Sequence, residues 1–187
     1  MINPDWDRFK KEIWEDRCYD IGIKNSYYNL VVDLGANVGH FTRYIYPRAN
    51  KVLSIEPSSI NFPELQKNTE GMNRVRLFNF AIGKENGTRD FYDGDSIVYN
   101  RNIIDRVETK KFIDFIKENS IAEIDFLKCD IEGAEGEIFL IDDFKEIAKY
   151  LNHVVGEIHS GIELKTTFEN NGFTYYQSGQ IFTAQKI

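Results

Sequence analysis

From Asn29 onward, short apolar runs alternate with segments in which apolar residues recur every three or four positions. The runs "NLVVDLG", "KVLSIEP", "RVRLFNFAIG", "EIDFLKCD" and "NHVVGEIH" suit buried parallel strands. Between them lie helical patterns. In "VGHFTRYIY", Val38, Phe41 and Ile45 share a face and Pro47 is a stop. "SSINFPELQKN" has Ser or Asn as a cap, with Glu64 three residues after Asn61. "ETKKFIDFIKEN" puts Phe112, Phe115 and Ile116 on one side, and "AEGEIFLIDDF" begins a further helix. "SGIELKTTFENNG" carries the capping pair Ser160 and Glu163 and an Asn-Gly stop. Trp6, Phe9 and Ile13 predict an amphipathic helix at the start. "TRDFY" reads as a short extra strand and "DGDSIVYNRN" as a loop. The close, "FTYYQ", "SG" and "IFTAQ", is a hairpin.

Strands alternating with helices imply a parallel sheet covered on both faces. The expected fold is a three-layer, doubly wound α/β sandwich whose mostly parallel sheet gains an antiparallel hairpin at one edge. Residues 1–26 form an N-terminal helical segment and residues 27–187 one domain. Ligands of such sheets bind beyond the carboxyl ends of the strands, where the strand order reverses.

Composition narrows the partners. The 187 residues include 23 Lys and Arg against 30 Asp and Glu, for a net charge of −7. Such a surface repels phosphate backbones and anionic lipid, so nucleic acid and membrane surfaces are not expected partners. Cys18 and Cys129 are too few and too far apart for a disulfide framework or a zinc knuckle. The charged N-terminus lacks the apolar core of a signal peptide, and no run approaches a membrane span. A cytoplasmic location is the expectation.

Candidate chemistry begins at "VVDLGANVG". Gly35 permits a tight turn and close ligand approach, and Gly39 lets the next helix pack against the sheet. The turn offers free N–H groups at a helix start, a seat for a carboxylate. Asp33 could accept a hydrogen bond from a ligand ammonium. Glu56, ending the second strand about 20 residues on, stands where such folds hold a ribose by its hydroxyls. The glycine spacing is G-x-x-x-G, not the dinucleotide G-x-G-x-x-G. A nucleoside with an amino-acid tail fits better than a nicotinamide dinucleotide. S-adenosyl-L-methionine has that shape.

With "VVDLGANVGHFT", "SIEPSSINFPELQKN", "FNFAIG", "IDFLKCDIEGAE" and "GEIH" in order, the chain resembles the FkbM-type family of S-adenosylmethionine-dependent methyltransferases. The resemblance runs from about Leu30 to Ser160, and "LKCDIEGAE" is its most specific block. It implies a Rossmann-like class I methyltransferase and methyl transfer to a hydroxyl of a sugar or another small-molecule or glycoconjugate acceptor. By position, Asp33, Gly35, Asn37 and Gly39 would hold the methionine end of the cofactor. Glu56 would hold the ribose, and Asn79 and Ala81 would lie along the adenine. The compact chain leaves little room for a separate substrate domain, so a large acceptor would need a partner subunit to complete the site. A homo-oligomer fits that expectation, and a non-catalytic binding module for the cofactor is the rival reading.

In the fourth core strand Lys128, Asp130 and Glu132 stand at every second position, which in a strand means one face. Glu157 and His159 repeat the spacing at the end of the fifth. Adjacent parallel strands end level, so Asp130, Glu132, Glu157 and His159 should converge near the cofactor's methyl, with Asp130 touching the cofactor as well. Crowded carboxylates raise one another's pKa, which suits a general base, and His159 is the other candidate. A second reading gives these four residues a magnesium or manganese ion. Lys128 is expected to neutralise its neighbours as a buried ion pair. Glu135 and Glu137, in the first turns of a helix, are expected to face water without a catalytic role. The loop from Phe91 to Asn102 is the candidate contact for the acceptor.

Overall fold

The computed structural model describes residues 5–21, 23, 27–91, 105–159 and 161–187, without side-chain detail at 5–9 and 105. Tyr92–Asn102 of the expected acceptor loop, Ser160 of the capping pair, and the Trp6 and Phe9 side chains lie outside this description.

Seven strands form the main sheet. In chain order they are β1 (Tyr28–Leu34), β2 (Ala49–Ile55), β3 (Val75–Phe78), β7 (Phe126–Cys129), β8 (His153–Glu157), β9 (Phe173–Ser178) and β10 (Ile181–Lys186). Their spatial order is β3-β2-β1-β7-β8-β10-β9. The first five pair in parallel, and β10 runs antiparallel to both β8 and β9. The expected hairpin thus closes one edge. The order reverses between β1 and β7, so the crevice opens above their carboxyl ends.

The apolar runs are nearly continuous because both faces are covered. Alternate residues of β1, β2 and β7 enter two separate clusters. Val32, Leu34, Leu53, Leu127 and Cys129 join a core rich in phenylalanine, with Phe115, Phe139, Phe168 and Phe182. Val31, Val52 and Phe126 turn the other way, against Phe41 and Ile45 of α2 (His40–Ile45). Each buried Phe contributes on the order of 1.5–3 kcal/mol. The opening helix α1 (Asp5–Trp14) packs on α2, with Trp14 edge-on to Tyr44.

The sequence pattern misassigned two segments. "RVRLFNFAIG" is not one strand: β3 ends at Phe78 and Ala81–Gly83 forms β4 of a separate three-stranded sheet. Its other members are β5 (Gly87–Phe91), the extra strand expected from "TRDFY", and β6 (Asp105–Lys111). The helix expected from Glu108 starts only at Phe112, as α4 (Phe112–Glu118). Val107 and Thr109 are buried while Arg106 and Glu108 are exposed, and that alternation makes a strand of the segment. In α3 (Asn61–Asn68) the cap is Ser58, whose Oγ accepts from the N–H groups of Ile60 and Asn61 at 3.2 Å. Glu163 caps α7 (Lys165–Asn170) by accepting from the Lys165 N–H.

Candidate functional site

A cavity of about 470 Å³ opens at the crevice between β1 and β7. Gly35, Asn37, Glu56 and Ala81 border it on the glycine-turn side, and Asp130 and Glu132 on the side of β7.

The glycine turn is built by close contact. Gly35 sits at φ +76°, and a Cβ there would lie 1.7 Å from the Asp130 carbonyl oxygen. The turn after β1 therefore touches the residue just past β7, and only glycine allows it. Asn37 is also left-handed, at φ +50°, with its Oδ1 accepting from the Val38 N–H.

Glu56 is buried at the cavity edge. One carboxylate oxygen accepts from the Asn37 N–H and the other from the Ser58 N–H, both at 2.8 Å. A carboxylate clamped by two backbone donors cannot rotate, and a carboxylate oxygen can accept from a hydroxyl as well as from a backbone N–H. A ribose presents such a hydroxyl pair, and the glycine turn beside it leaves room for an amino-acid tail. The residues present therefore fit the expected cofactor.

Three expected cofactor contacts do not reach the cavity. Asp33 is fully buried beneath it, where its Oδ2 accepts from Thr42 Oγ at 2.7 Å and its Oδ1 lies 3.5 Å from Lys128 Nζ. Asp33 and Lys128 are paired directly in the β1–β7 register, so the two charges face one another. Burial holds the Asp33 pKa up, against Lys128 and Thr42, which pull it down. Gly39 serves packing, since a Cβ there would come within 2.8 Å of a Leu65 methyl. Asn79 spends its Nδ2 on the carbonyls of Glu56 and Pro57, at 2.9 and 3.1 Å, and so ties the loop after β2. Of the expected adenine pair, Ala81 alone borders the cavity.

Lys128 is the buried partner that was expected. Its Nζ donates to the Gly35 carbonyl at 2.8 Å and lies 3.5 Å from both Asp33 and Asp130. Burial opposes its charge, but the two carboxylates raise its pKa further, and it stays a cation. It joins the glycine turn to the acid at the end of β7. Tyr19 donates a hydrogen bond to Asp130 Oδ2 at 2.8 Å. No motif announces Tyr19, because the contact spans 111 residues of chain.

The four residues expected to meet do meet. His159 Nε2 lies 3.5 Å from Glu132, 3.6 Å from Glu157 and 3.8 Å from Asp130. The strand argument was only half right, since β7 ends at Cys129 and Glu132 sits in a turn at φ +55°. Glu135 was expected to face water, yet it is fully buried with its Oε1 3.2 Å from His159 Nδ1. Glu137 is half-buried and binds Arg89 through both oxygens at 2.8 and 2.9 Å, holding the small sheet to α5 (Gly136–Phe139).

Burial pulls the His159 pKa down, but the Glu135 hydrogen bond and the charges of Glu132 and Asp130 outweigh it and raise it to about 9. At neutral pH the ring is an imidazolium, which removes it as a general base. Burial and Asp130 raise the Glu157 pKa, against the pull of His159. Ligand atoms of Asp130, Glu132 and His159 lie within 4.8 Å of one another. Attraction between an imidazolium and carboxylates produces the same spacing, so it does not single out a metal.

The family model for the methyltransferase FkbM domain matches residues 33–175. The chain is 27% identical to methyltransferase sdnD of Sordaria araneosa, across 87% of this chain and 80% of that protein. It is 27% identical to 2-O-methyltransferase NoeI of Sinorhizobium fredii, across 58% of this chain and 55% of that one. The crystal structure of methyltransferase FkbM from Methylobacillus flagellatus superposes with a TM-score of 0.63 at 15% identity, covering 94% of this chain and 47% of that one. The chain thus spans little more than half of NoeI and less than half of the Methylobacillus protein.

Proposed function

The chain belongs to the methyltransferase FkbM domain family, and from that premise we propose that it transfers a methyl group from S-adenosyl-L-methionine to a hydroxyl of a sugar or similar small acceptor. One observation carries the reading: the glycine turn and Asp130 are in contact, so a nucleoside seat and two acids of the cluster, Asp130 and Glu132, line one cavity.

Gly35, Asn37, Glu56 and Ala81 line the cofactor's place, with Glu56 on the ribose and the turn's backbone on the methionine end. When bound, the cofactor supplies a methyl carbon already activated by its sulfonium. Most of the rate then comes from holding the acceptor oxygen in line. The hydroxyl proton passes to a carboxylate of the cluster. Asp130 is oriented for the acceptor by Tyr19 and Lys128, while Glu132 borders the cavity. Asp130 and Glu132 border the cavity and are the acids placed to take that proton, while Glu157, with its raised pKa, lies outside the cavity lining beside His159. His159 stays protonated and screens the three acids from one another. Acidic side chains also accept hydrogen bonds from neighbouring hydroxyls, which suits a polyol. NoeI's name as a 2-O-methyltransferase supports oxygen as the acceptor atom.

Calorimetry should show the protein binding S-adenosylmethionine and not NAD; the reverse would end this reading. Labelled cofactor offered with a panel of sugars and glycosylated metabolites should label a hydroxyl. Turnover should survive EDTA, whereas its loss and return with magnesium would favour the cation.

A further inference from the structure

We propose that Glu135 is a positioning residue for this reaction: it shapes the turn after β7 and orients the His159 ring so that Nε2 faces Asp130, Glu132 and Glu157. The inference rests on the methyltransferase reading, since those acids are assigned to the acceptor there.

Glu135 Oε1 is the hub. It accepts from the backbone N–H of Ile131 at 3.3 Å and of Gly133 at 3.1 Å, and it meets His159 Nδ1 at 3.2 Å. One oxygen thus joins the turn after β7 to the residue just past β8. The hydrogen bond made by one ring nitrogen sets what the other presents. With Nδ1 committed to Glu135, Nε2 lies within 3.8 Å of all three acids. A flipped ring would turn carbon atoms toward them.

The turn itself needs an outside hold. Glu132 at φ +55° is in the left-handed region that L-residues rarely adopt. The two N–H bonds on either side of it, at Ile131 and Gly133, hold it there. That turn carries Ile131, Glu132, Gly133 and Ala134 into the cavity wall.

Glu135 also carries a penalty within the fold. It is fully buried, and its Oε2 has no hydrogen-bond partner among the described residues. A buried acceptor left unpaired gives up the hydrogen bonds it would make to water in the unfolded chain. An apolar side chain would pack there without that penalty but would release the ring and the turn.

The test compares E135Q, which keeps an oxygen for the two N–H groups but loses the charge, with E135A, which loses both. Nitrogen-15 NMR of His159 should show an Nδ1 proton protected from solvent exchange in the wild type, less protected in E135Q, whose uncharged amide oxygen is a weaker acceptor, and exposed in E135A. The S-adenosylmethionine KM should stay within about twofold, while kcat falls by about 10- to 100-fold in E135A and partly recovers in E135Q. An Nδ1 proton that exchanges freely in the wild type overturns the proposal, as does a wild-type kcat in E135A. Should E135A fail to fold, the wild-type and E135Q spectra still decide. Should the chain transfer no methyl group at all, the methyltransferase reading falls, while the spectra still judge the hold on the ring.

Discussion

At Glu56 two backbone donors fix one carboxylate, and this single residue makes the cofactor reading testable. Glu56→Ala removes the carboxylate's hold on the ribose, counted as one net charge-assisted hydrogen bond worth on the order of 1.5–3 kcal/mol. Calorimetry should show S-adenosylmethionine affinity down by roughly 10- to 100-fold, with circular dichroism unchanged; unchanged affinity would refute the ribose role. His159 carries a second prediction. Its folded pKa, about 9, lies above the ordinary histidine value of 6.5. The stabilisation from its partners is therefore fully present below pH 6.5 and lost as pH rises through 9. The melting-temperature gap between wild type and H159Q should be widest near pH 6 and close by about pH 10. A gap that widens with pH would mean that the ring is held neutral. Both residues were legible in the sequence as strand-end acid and strand-end imidazole. The protonation of His159 was not, because it depends on Glu135, which the helix-start rule assigned to water.

Among elements, the crossing of the β1 turn over the end of β7 decides the shape of the site. Gly35→Ala meets both the left-handed φ and the Asp130 carbonyl. Chemical denaturation should show a loss of at least about 2 kcal/mol, and S-adenosylmethionine binding should fall with it. A variant of wild-type stability would mean that the two loops are not in contact. The glycine was visible in "DLGANVG", but its reason was not. It was read as room for a ligand, and the nearest atom is a carbonyl 95 residues away in sequence. The same limit explains the small sheet. "TRDF" was read as a strand, but "AIG" was run into β3 and the segment before Phe112 into the helix that follows, because the strands they pair with lie elsewhere in the chain. Glu137 was assigned to water because Arg89, its partner, lies in that second sheet.

For the whole molecule, the net charge of −7 is the ground for expecting no nucleic-acid partner. Fluorescence anisotropy at about 50 mM salt should detect no binding of single- or double-stranded RNA; micromolar binding would redirect the search for an acceptor toward nucleic acid. Among the described residues no helix is long and apolar enough to cross a membrane. Outside the small sheet, the order of strands and helices, the covering of both sheet faces and the closing hairpin were determined by the sequence alone. Each follows from local periodicity and from turn residues acting on their neighbours. The glycine turn and the acid at the second strand end were also legible, because both are local in the chain. The tertiary structure decided which charges serve the cavity and which serve the core. Asp33 went to Lys128 beneath the floor, Asn79 to backbone carbonyls, and Glu135 from solvent to His159. The partner of a charged group comes from a distant strand or segment, and proximity across the sheet is set only when the whole chain packs.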